Sequence, residues 1–518
     1  ADTGEIEINN SKIRTTTPTP SSPEQRQLDK LKHEILKEYA DVFPAELPKG
    51  IPPKRNIEHE IKLQPNTTPP FKHHHKMSPR DLDELRVHLK ELTDLGHIRP
   101  SSSPYGAPVL FAKKAGEIKR RICIDYRDIN SKTIKNRYPI PKVNELLDRL
   151  TGIKFVTKLD FRSGYHQIRM KDEDIEKTAF TTRYGNFEFT VMPFGLTNAP
   201  STFMMLINKV LHPYTDEFVS AYLDDIMVYS KTLEEHKKHL HLVLDKLRDN
   251  KLYCKESKCI FFQRNVPFLG YIVGADGLQV DPAKIEAVKT WPLPTTLTET
   301  RAFLGFVGFY RRFINNHSAI VAPITTLTKT KTSPSPKFSW TPKATIAFEK
   351  IKQMLISAPI LIIADLTKPF IVQTDCSGYA IGAVLQQDQG NGLQPIAFLS
   401  KKLLAAELNY PIHHKELLAI IVALKEWKHY LLGSNFQIRV LTDHKSLIHL
   451  KTQQKLSGRQ ARWSEFLAEF SPDLKIEYVQ GKSNVLADAL SRLPHLNDNL
   501  PFLPPPITPT DITASSSS

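Results

Sequence analysis

At 518 residues the sequence is long enough for about three or four domains of ordinary size. Lys plus Arg number 70 against 55 for Asp plus Glu, a net charge of +15 that disfavours basic partners and points to a polyanion, nucleic acid first. Cys123, Cys254, Cys259 and Cys376 include a single close pair, which excludes a disulfide framework and a four-cysteine zinc site, and no apolar run approaches the roughly 20 residues that span a bilayer.

Residues 1–22, rich in Thr, Ser, Pro and Asn, are expected to form a disordered linker. Ala1 to Thr19 lacks a signal-peptide core, so a reduced intracellular protein is expected, neither secreted nor inserted in a membrane. Asp2-Thr3-Gly4 is the tripeptide of aspartic proteases, but no apolar strand precedes it and no catalytic domain follows, so coincidence or a leftover junction is expected. From Ser22 to Phe43, Leu28, Leu31, Ile35, Leu36 and Tyr39 recur at helical spacing, and the proline-bearing stretch from Pro44 to Pro70 reads as an arm draped over another domain. His73, His74 and His75 are consecutive and cannot share one face, so they read as basic surface rather than a metal site.

Ser78 followed by Pro79, with Leu82, Leu85, Leu89 and Leu92 and then Gly96, predicts a capped helix. Strands are expected over Pro108 to Ala112 and Ile122 to Tyr126. The connection between them carries Lys113, Lys114, Gly116, Lys119, Arg120 and Arg121, a basic hairpin suited to clamping a triphosphate or a nucleic-acid backbone. A further apolar strand, Phe155 to Asp160, delivers Asp160 at its end and Tyr165 five residues later. Tyr184-Gly185-Asn186 punctuates a hairpin, and a helix begins near Ser201.

Asp224 and Asp225 are adjacent, with an apolar run on either side. Successive side chains of a strand point to opposite faces, so the pair can serve one metal only if the chain reverses between the runs. The expectation is a tight β-hairpin with the aspartates at its tip; an ordinary polar turn is the competing reading. Asp160 favours the first, because two divalent ions held about 3.5 to 4 Å apart need carboxylates from more than one strand.

Downstream, Phe303, Leu304, Phe306, Phe309 and Tyr310 recur at helical spacing and read mostly as core, leaving Arg311 and Arg312 for phosphate contact. Thr325 to Pro342 reads as a surface connection. Phe370 to Asp375 is a strand ending in a carboxylate, with Ala380 to Leu385 as its hairpin partner. Leu417, Leu418, Ile421, Leu424 and Leu431 have helical spacing, with Glu416 near the first turn and Gly433 as the stop. A strand from Phe436 to Thr442 ends at Asp443, and Asp488 lies in a short helical pattern.

Three segments, Leu159 to Ile168, Val191 to Phe203 and Tyr222 to Tyr229, closely resemble the reverse transcriptase of gypsy-type LTR retrotransposons, relatives of retroviruses. The resemblance runs from about Leu31 to Arg492. It implies an α+β right-hand polymerase with fingers, palm and thumb, then a connection and an RNase H-like α/β domain. The expected divisions are 1–22 linker, 23–75 helix and arm, 76–235 fingers and palm, 236–320 primer grip and thumb, 321–368 connection, 369–493 RNase H and 494–518 disordered tail.

The resemblance further implies that Asp160, Asp224 and Asp225 hold two Mg²⁺ ions, with Mn²⁺ as an alternative. Lys114 and Arg121 match the triphosphate contacts. Tyr165 matches the residue beneath the sugar that excludes a 2′-hydroxyl, with Phe194 flooring the same pocket where retroviral relatives have glutamine. Phe268, Leu269, Gly270 and Tyr271 resemble the primer grip, and the segment bearing Arg311 and Arg312 resembles the thumb. Asp375, Glu416, Asp443 and Asp488 match the four metal-binding acids of RNase H, again with two ions. The histidine that many RNases H carry before the last acid is absent from Gln480 to Asn484. Tyr478 is the nearest substitute, and a structural tyrosine is the equal alternative.

The implied activity is RNA- and DNA-directed DNA synthesis with degradation of the RNA strand of the hybrid. The implied partners are RNA template, DNA primer, RNA–DNA hybrid and dNTPs, with Gag, protease and integrase as fellow polyprotein products, in a cytoplasmic virus-like particle. Monomer and homodimer both stay open. Protease and integrase patterns are absent from this sequence, so a mature piece or fragment of a longer polyprotein is expected. An inactive domesticated relic and a polymerase restricted to DNA templates are the competing functional readings.

Overall fold

The computed structural model describes residues 23–112, 121–139, 141–147, 150, 152–314, 316–328, 339–377, 380–445, 447, 457–470 and 473–479. The chain divides into two compact units, Ala1–Asp281 and Pro282–Ser518. That division falls inside the segment 236–320 expected to hold primer grip and thumb together.

The first unit opens with the helix Pro23–Glu38, which buries Leu28 and Ile35. Just beyond it the Tyr39 hydroxyl donates to Asp245 Oδ1 at 2.8 Å, and the Arg248 guanidinium lies 4.3 Å over the ring. The end of this first helix is therefore fastened to the helix Leu233–Asp249. The helix Pro79–Asp94 begins as expected, with a reciprocal capping box between Ser78 and Asp81 and Pro79 in its first turn.

Among the described residues twelve strands follow in this unit: β1 Ile98–Pro100, β2 Ala107–Ala112, β3 Arg121–Ile124, β4 Phe155–Asp160, β5 Phe180–Thr182, β6 Gly185–Phe189, β7 Val219–Tyr222, β8 Asp225–Ser230, β9 Ile260–Gln263, β10 Asn265–Phe268, β11 Tyr271–Gly274 and β12 Gly277–Val280. They form a five-stranded sheet in the order β1-β6-β5-β2-β3, a four-stranded sheet β7-β8-β4-β9 and a three-stranded sheet β10-β11-β12. In the four-stranded sheet Ile226, Met227 and Val228 are all fully buried, which explains why this stretch is apolar at every position rather than alternating. The helices Ala199–Leu211 and Leu233–Asp249 pack with this sheet through Phe203, Ile207, Leu240 and Leu244, all wholly buried.

The second unit begins with helices Pro282–Lys289, Leu297–Phe309, His317–Leu327 and Pro342–Ile356. The expected surface connection is shorter than its predicted span at both ends. Thr325 to Leu327 still belong to a helix, and Pro342, fitted by its fixed φ for a first helical turn, opens the next one behind the Thr341 cap. A five-stranded sheet then combines β13 Ile371–Cys376, β14 Ala380–Asp388, β15 Leu393–Lys402, β16 Ile438–Thr442 and β17 Leu474–Tyr478 in the order β15-β14-β13-β16-β17. The β13–β14 and β14–β15 pairs are antiparallel, while β16 pairs in parallel with β13 and β17. Parallel neighbours need crossovers, and the helices Ile412–Glu426 and Gly458–Ala468 lie in those connections. Leu417, Ile420, Ile421 and Leu424 bury one helical face in a core with Val372, Leu385 and Val440. The helix expected to run on to Leu431 breaks at Trp427; a short turn Lys428–Leu431 follows, and Gly433 ends it at φ 79°.

Candidate active sites

Asp160 ends β4 and Asp225 begins β8, and the two are direct partners across the antiparallel ladder. Tyr222 and Asp225 are likewise partners, so Leu223 and Asp224 form the reversal between β7 and β8. The hairpin is as tight as the paired aspartates required. Leu223 takes the left-handed φ of 51°, a costly conformation for a side chain of its size, and its N–H meets Met204 Sδ at 2.9 Å.

All three carboxylates therefore gather at one end of the sheet, in unequal surroundings. Lys258 Nζ lies 3.2 Å from Asp160 Oδ1, and Lys158 Nζ lies 3.0 Å from Asp225 Oδ1. Asp224 Oδ1 is buried without a hydrogen-bond partner among the described residues. Burial, then the charges of Asp160 and Asp225, push the Asp224 carboxyl up to about 6, with Lys258 pulling the other way.

Beside this cluster the short 3-10 helix Gly164–Gln167 presents Tyr165. Its ring stacks on Phe194 with centroids 4.9 Å apart and packs against Phe203 at 5.5 Å. Burial and then the charge of Asp224 push the phenol up to about 12, so Tyr165 remains a neutral donor. Phe194 is half exposed and forms an open aromatic floor. A Cβ at Gly164 would come within 3.0 Å of the Phe203 ring, which accounts for glycine at the turn carrying Tyr165.

The remaining predicted residues of the first unit are less fully placed. Lys114 lies outside the described residues, and Arg121 is placed by its backbone as the first residue of β3, opposite Ala112. Phe268, Leu269, Gly270 and Tyr271 form the β10–β11 hairpin, with Leu269 at φ 51° and Gly270 at φ 84° in its two-residue turn. The Phe268 and Tyr271 side chains are buried, so the tip, rather than these rings, is the part of the hairpin open to a ligand.

In the second unit Asp375 stands on β13, Glu416 on the helix Ile412–Glu426 and Asp443 just past β16. Their ligand atoms all lie within 4.8 Å of one another, the only such acidic group of three among the described residues. Burial, then Asp375 and Asp443, push the Glu416 carboxyl up to about 9, and its Oε2 is buried without a hydrogen-bond partner among the described residues. Asp488 lies outside the described residues. Tyr478 ends β17 opposite Thr442, one residue before Asp443, half-buried with Lys445 Nζ 5.0 Å from its ring centre. Arg311 is exposed, with Glu426 Oε1 4.0 Å away, and Arg312 is half-buried.

The pattern of acids did not reveal Lys158 and Lys258. Lys158 carried a usable signal, being two residues before Asp160 and hence on the same strand face. Lys258 is 98 residues from Asp160 in the chain, a separation at which no local pattern operates.

Residues 112–273 match the family described as reverse transcriptase (RNA-dependent DNA polymerase), and residues 365–470 match the RNase H-like domain found in reverse transcriptase. The retrovirus-related Pol polyprotein from transposon 297 of Drosophila melanogaster is 40% identical over 448 residues, covering 85% of this chain and 41% of that polyprotein. This chain carries a reverse transcriptase domain and an RNase H-like domain, and its relatives are retrotransposon Pol polyproteins. It is also 39% identical to the polyprotein of the Drosophila melanogaster transposon opus over 474 residues, 89% of this chain and 46% of that one. The Tf2-3 polyprotein of Schizosaccharomyces pombe is 36% identical over 474 residues, 90% of this chain and 35% of that one. The chain thus spans less than half the length of these curated relatives.

Its fold is that of the foamy viral protease-reverse transcriptase. The structure of that enzyme's dRH form with double-stranded DNA gives a TM-score of 0.75 at 22% identity, covering 93% of this chain and 80% of that one. A second complex with double-stranded DNA gives 0.74 at 22% identity, covering 89% and 94%. The α+β architecture with an RNase H-like α/β domain is therefore as expected. The reverse transcriptase match spans Lys114, Arg121, Asp160, Tyr165, Phe194, Asp224, Asp225 and the Phe268–Tyr271 hairpin; Arg311, Arg312 and Asp488 fall outside both matched ranges.

Proposed function

We propose that this chain is the polymerase and nuclease portion of a retrotransposon Pol polyprotein, an RNA- and DNA-directed DNA polymerase with a linked ribonuclease H, copying retrotransposon RNA into DNA and degrading the RNA strand of the resulting hybrid. The observation that carries the reading is the presence of two separate carboxylate sets, one in each compact unit: Asp160, Asp224 and Asp225 around one sheet end, and Asp375, Glu416 and Asp443 from a strand, a helix and a strand end. An all-oxygen donor set suits hard divalent cations, Mg²⁺ or Mn²⁺. The fit is supported by the buried Asp224 Oδ1, without a hydrogen-bond partner among the described residues, and by three acids within 4.8 Å of one another, where burial, then Asp375 and Asp443, push the Glu416 carboxyl up to about 9 and a cation would favour its charged form.

Asp160, Asp224 and Asp225 would hold the ions of the polymerase site, and Asp375, Glu416, Asp443 and Asp488 those of the nuclease. When bound, two such ions stabilise the attacking and leaving oxygens of an in-line phosphoryl displacement. The chain's own groups do the positioning. Phe194 floors the nucleotide sugar while Tyr165 fills the space that a 2′-hydroxyl would need. Lys114 and Arg121 offset the charge of the triphosphate, the Leu269-Gly270 tip aligns the primer end, and Arg311 and Arg312 take phosphates without reading sequence.

RNA template, DNA primer, dNTPs and RNA–DNA hybrid are the proposed ligands; the foamy viral protease-reverse transcriptase has been solved in complex with double-stranded DNA and with RNA/DNA hybrid. Gag, protease and integrase are the proposed fellow products, and a cytoplasmic virus-like particle the proposed setting. No helix among the described residues is long and apolar enough to cross a membrane.

The test is extension of a DNA primer on an RNA template and, separately, on a DNA template with Mg²⁺, alongside cleavage of the RNA in a labelled hybrid. Extension on both templates with hybrid cleavage is expected. Extension on DNA alone would overturn the RNA-directed reading, and binding without either reaction would leave an inactive relic.

A further inference from the structure

The acid cluster of the first unit brings its own cations. Lys158 precedes Asp160 by two residues on β4, so the two side chains leave the same face, and Asp225 stands opposite Asp160 across the ladder. The Lys158 ammonium reaches Asp225 Oδ1 at 3.0 Å, with a side chain only 16% exposed. From the turn Glu256–Lys258, the Lys258 ammonium reaches Asp160 Oδ1 at 3.2 Å, with a side chain 47% exposed. Asp224 alone keeps a buried oxygen without a hydrogen-bond partner among the described residues.

The two acid sets differ in this respect. Among the described residues Asp375, Glu416 and Asp443 close to within 4.8 Å of one another, whereas Asp160, Asp224 and Asp225 do not form such a group. Two of the latter three carboxylates are instead turned onto lysines.

We propose that Lys158 and Lys258 are resident counter-ions of the polymerase acids, and that Lys258 is the one a divalent cation displaces when it binds Asp160. The inference rests on the reading of Asp160, Asp224 and Asp225 as metal ligands. Lys158 is pinned along a central strand and stays on Asp225. Lys258 stands on a short, half-exposed turn, and its flexible stem lets the ammonium move into water at little cost. Both are positioning residues, acting on carboxylates rather than on substrate.

Two effects of opposite sign follow from one charge. Without metal, each ammonium relieves repulsion among the carboxylates and so stabilises the fold. On metal binding, the Lys258–Asp160 pair must break, which weakens the apparent affinity. Removing the Lys258 charge therefore destabilises the metal-free chain and tightens metal binding, a combination that mere loss of packing cannot give.

The test uses the full chain, with free Mn²⁺ followed by electron paramagnetic resonance during titration and thermal melting recorded in EDTA. The first-unit sites are those that disappear in Asp224→Asn. Lys258→Met and Lys258→Gln are both expected to bind Mn²⁺ at those sites about three- to tenfold more tightly, the scale of one half-exposed charge at contact distance. Both should melt lower than wild type in EDTA, and Lys258→Arg should restore wild-type behaviour in both measurements. Lys158→Met should lose more melting temperature than Lys258→Met, because its ammonium is the more buried. Unchanged or weaker Mn²⁺ binding in both neutral variants would overturn the displacement. If wild type and Asp224→Asn bind the same number of ions, the metal-ligand reading itself fails, an outcome distinct from failure of the counter-ion role.

Discussion

At the scale of single residues, Asp224 differs from Asp160 and Asp225 in meeting no lysine at contact distance among the described residues. Its carboxyl, pushed up to about 6 by burial and two neighbouring acids, is the one of these three with most to gain from a cation. Asp224→Asn keeps the shape and removes the charge, so primer extension is expected to fall well below about a tenth of wild type, a loss exceeding roughly 1.4 kcal/mol of transition-state stabilisation. Hybrid binding, measured by fluorescence anisotropy, should survive. Retention of more than about a tenth of the extension rate would remove Asp224 from the ion site. Tyr165 lends itself to a different experiment because its ring is locked between Phe194 and Phe203, at 4.9 and 5.5 Å. With the ring beneath the nucleotide sugar, as proposed, Tyr165→Val would open space there. Single-nucleotide incorporation should then shift toward ribonucleotides, with only a modest fall for deoxyribonucleotides. A parallel loss on both, with an unchanged ratio, would reduce Tyr165 to a packing residue.

At the scale of elements, the helix Leu233–Asp249 ties the four-stranded sheet together from behind. His236, fully buried on it, shares hydrogen bonds with Thr157 on β4 at 2.8 Å and Ser230 on β8 at 3.0 Å. Burial, with His239 adding to it, lowers its imidazole from 6.5 to about 3. Above the unfolded value both states are neutral and the group adds no pH dependence. As pH falls below 6.5 the unfolded chain takes the proton and the native one does not, so stability declines until the pH reaches about 3. The His236 share of that decline is about 1.4 kcal/mol near pH 5.5. Urea unfolding of wild type and His236→Gln near pH 7.5 and 5.5 checks this: the variant should show a smaller loss between the two, and an equal loss would mean His236 is protonated in the native state. This helix also shows what the sequence conceals. Its Thr232–Glu235 capping box is a local signal, yet the histidines and lysines that follow obscure an apolar stripe completed by a buried His236. The Ser78–Pro79 start, the β4 strand and the Leu223-Asp224 reversal were legible because a few consecutive residues specify each. The Lys258–Asp160 pair, and the close approach of Tyr165 to Phe194, are made by folding and have no local trace.

At the scale of the whole molecule, each acid set belongs to a unit with its own core. Asp160 and Asp225 sit on a sheet packed by Phe203, Ile207, Leu240 and Leu244, and Asp375 on one packed by Leu417, Ile420 and Leu424. A neutralising change at one set therefore alters neither the ligands nor the packing of the other. Asp443 is the residue on which to test this, because it lies just past a strand end, outside the buried ladder, and its loss removes only the smallest of the effects that raise the Glu416 carboxyl, after burial and Asp375. Asp443→Asn should abolish cleavage of the RNA strand in a hybrid while primer extension on an RNA template stays within about twofold of wild type, under roughly 0.4 kcal/mol. Both reactions should be read from one preparation, by gel, with the primer and the RNA carrying different labels. Persistent cleavage would remove Asp443 from the nuclease site. Loss of extension in a protein that still melts like wild type would mean that the two units are energetically coupled, contrary to what their separate cores lead one to expect.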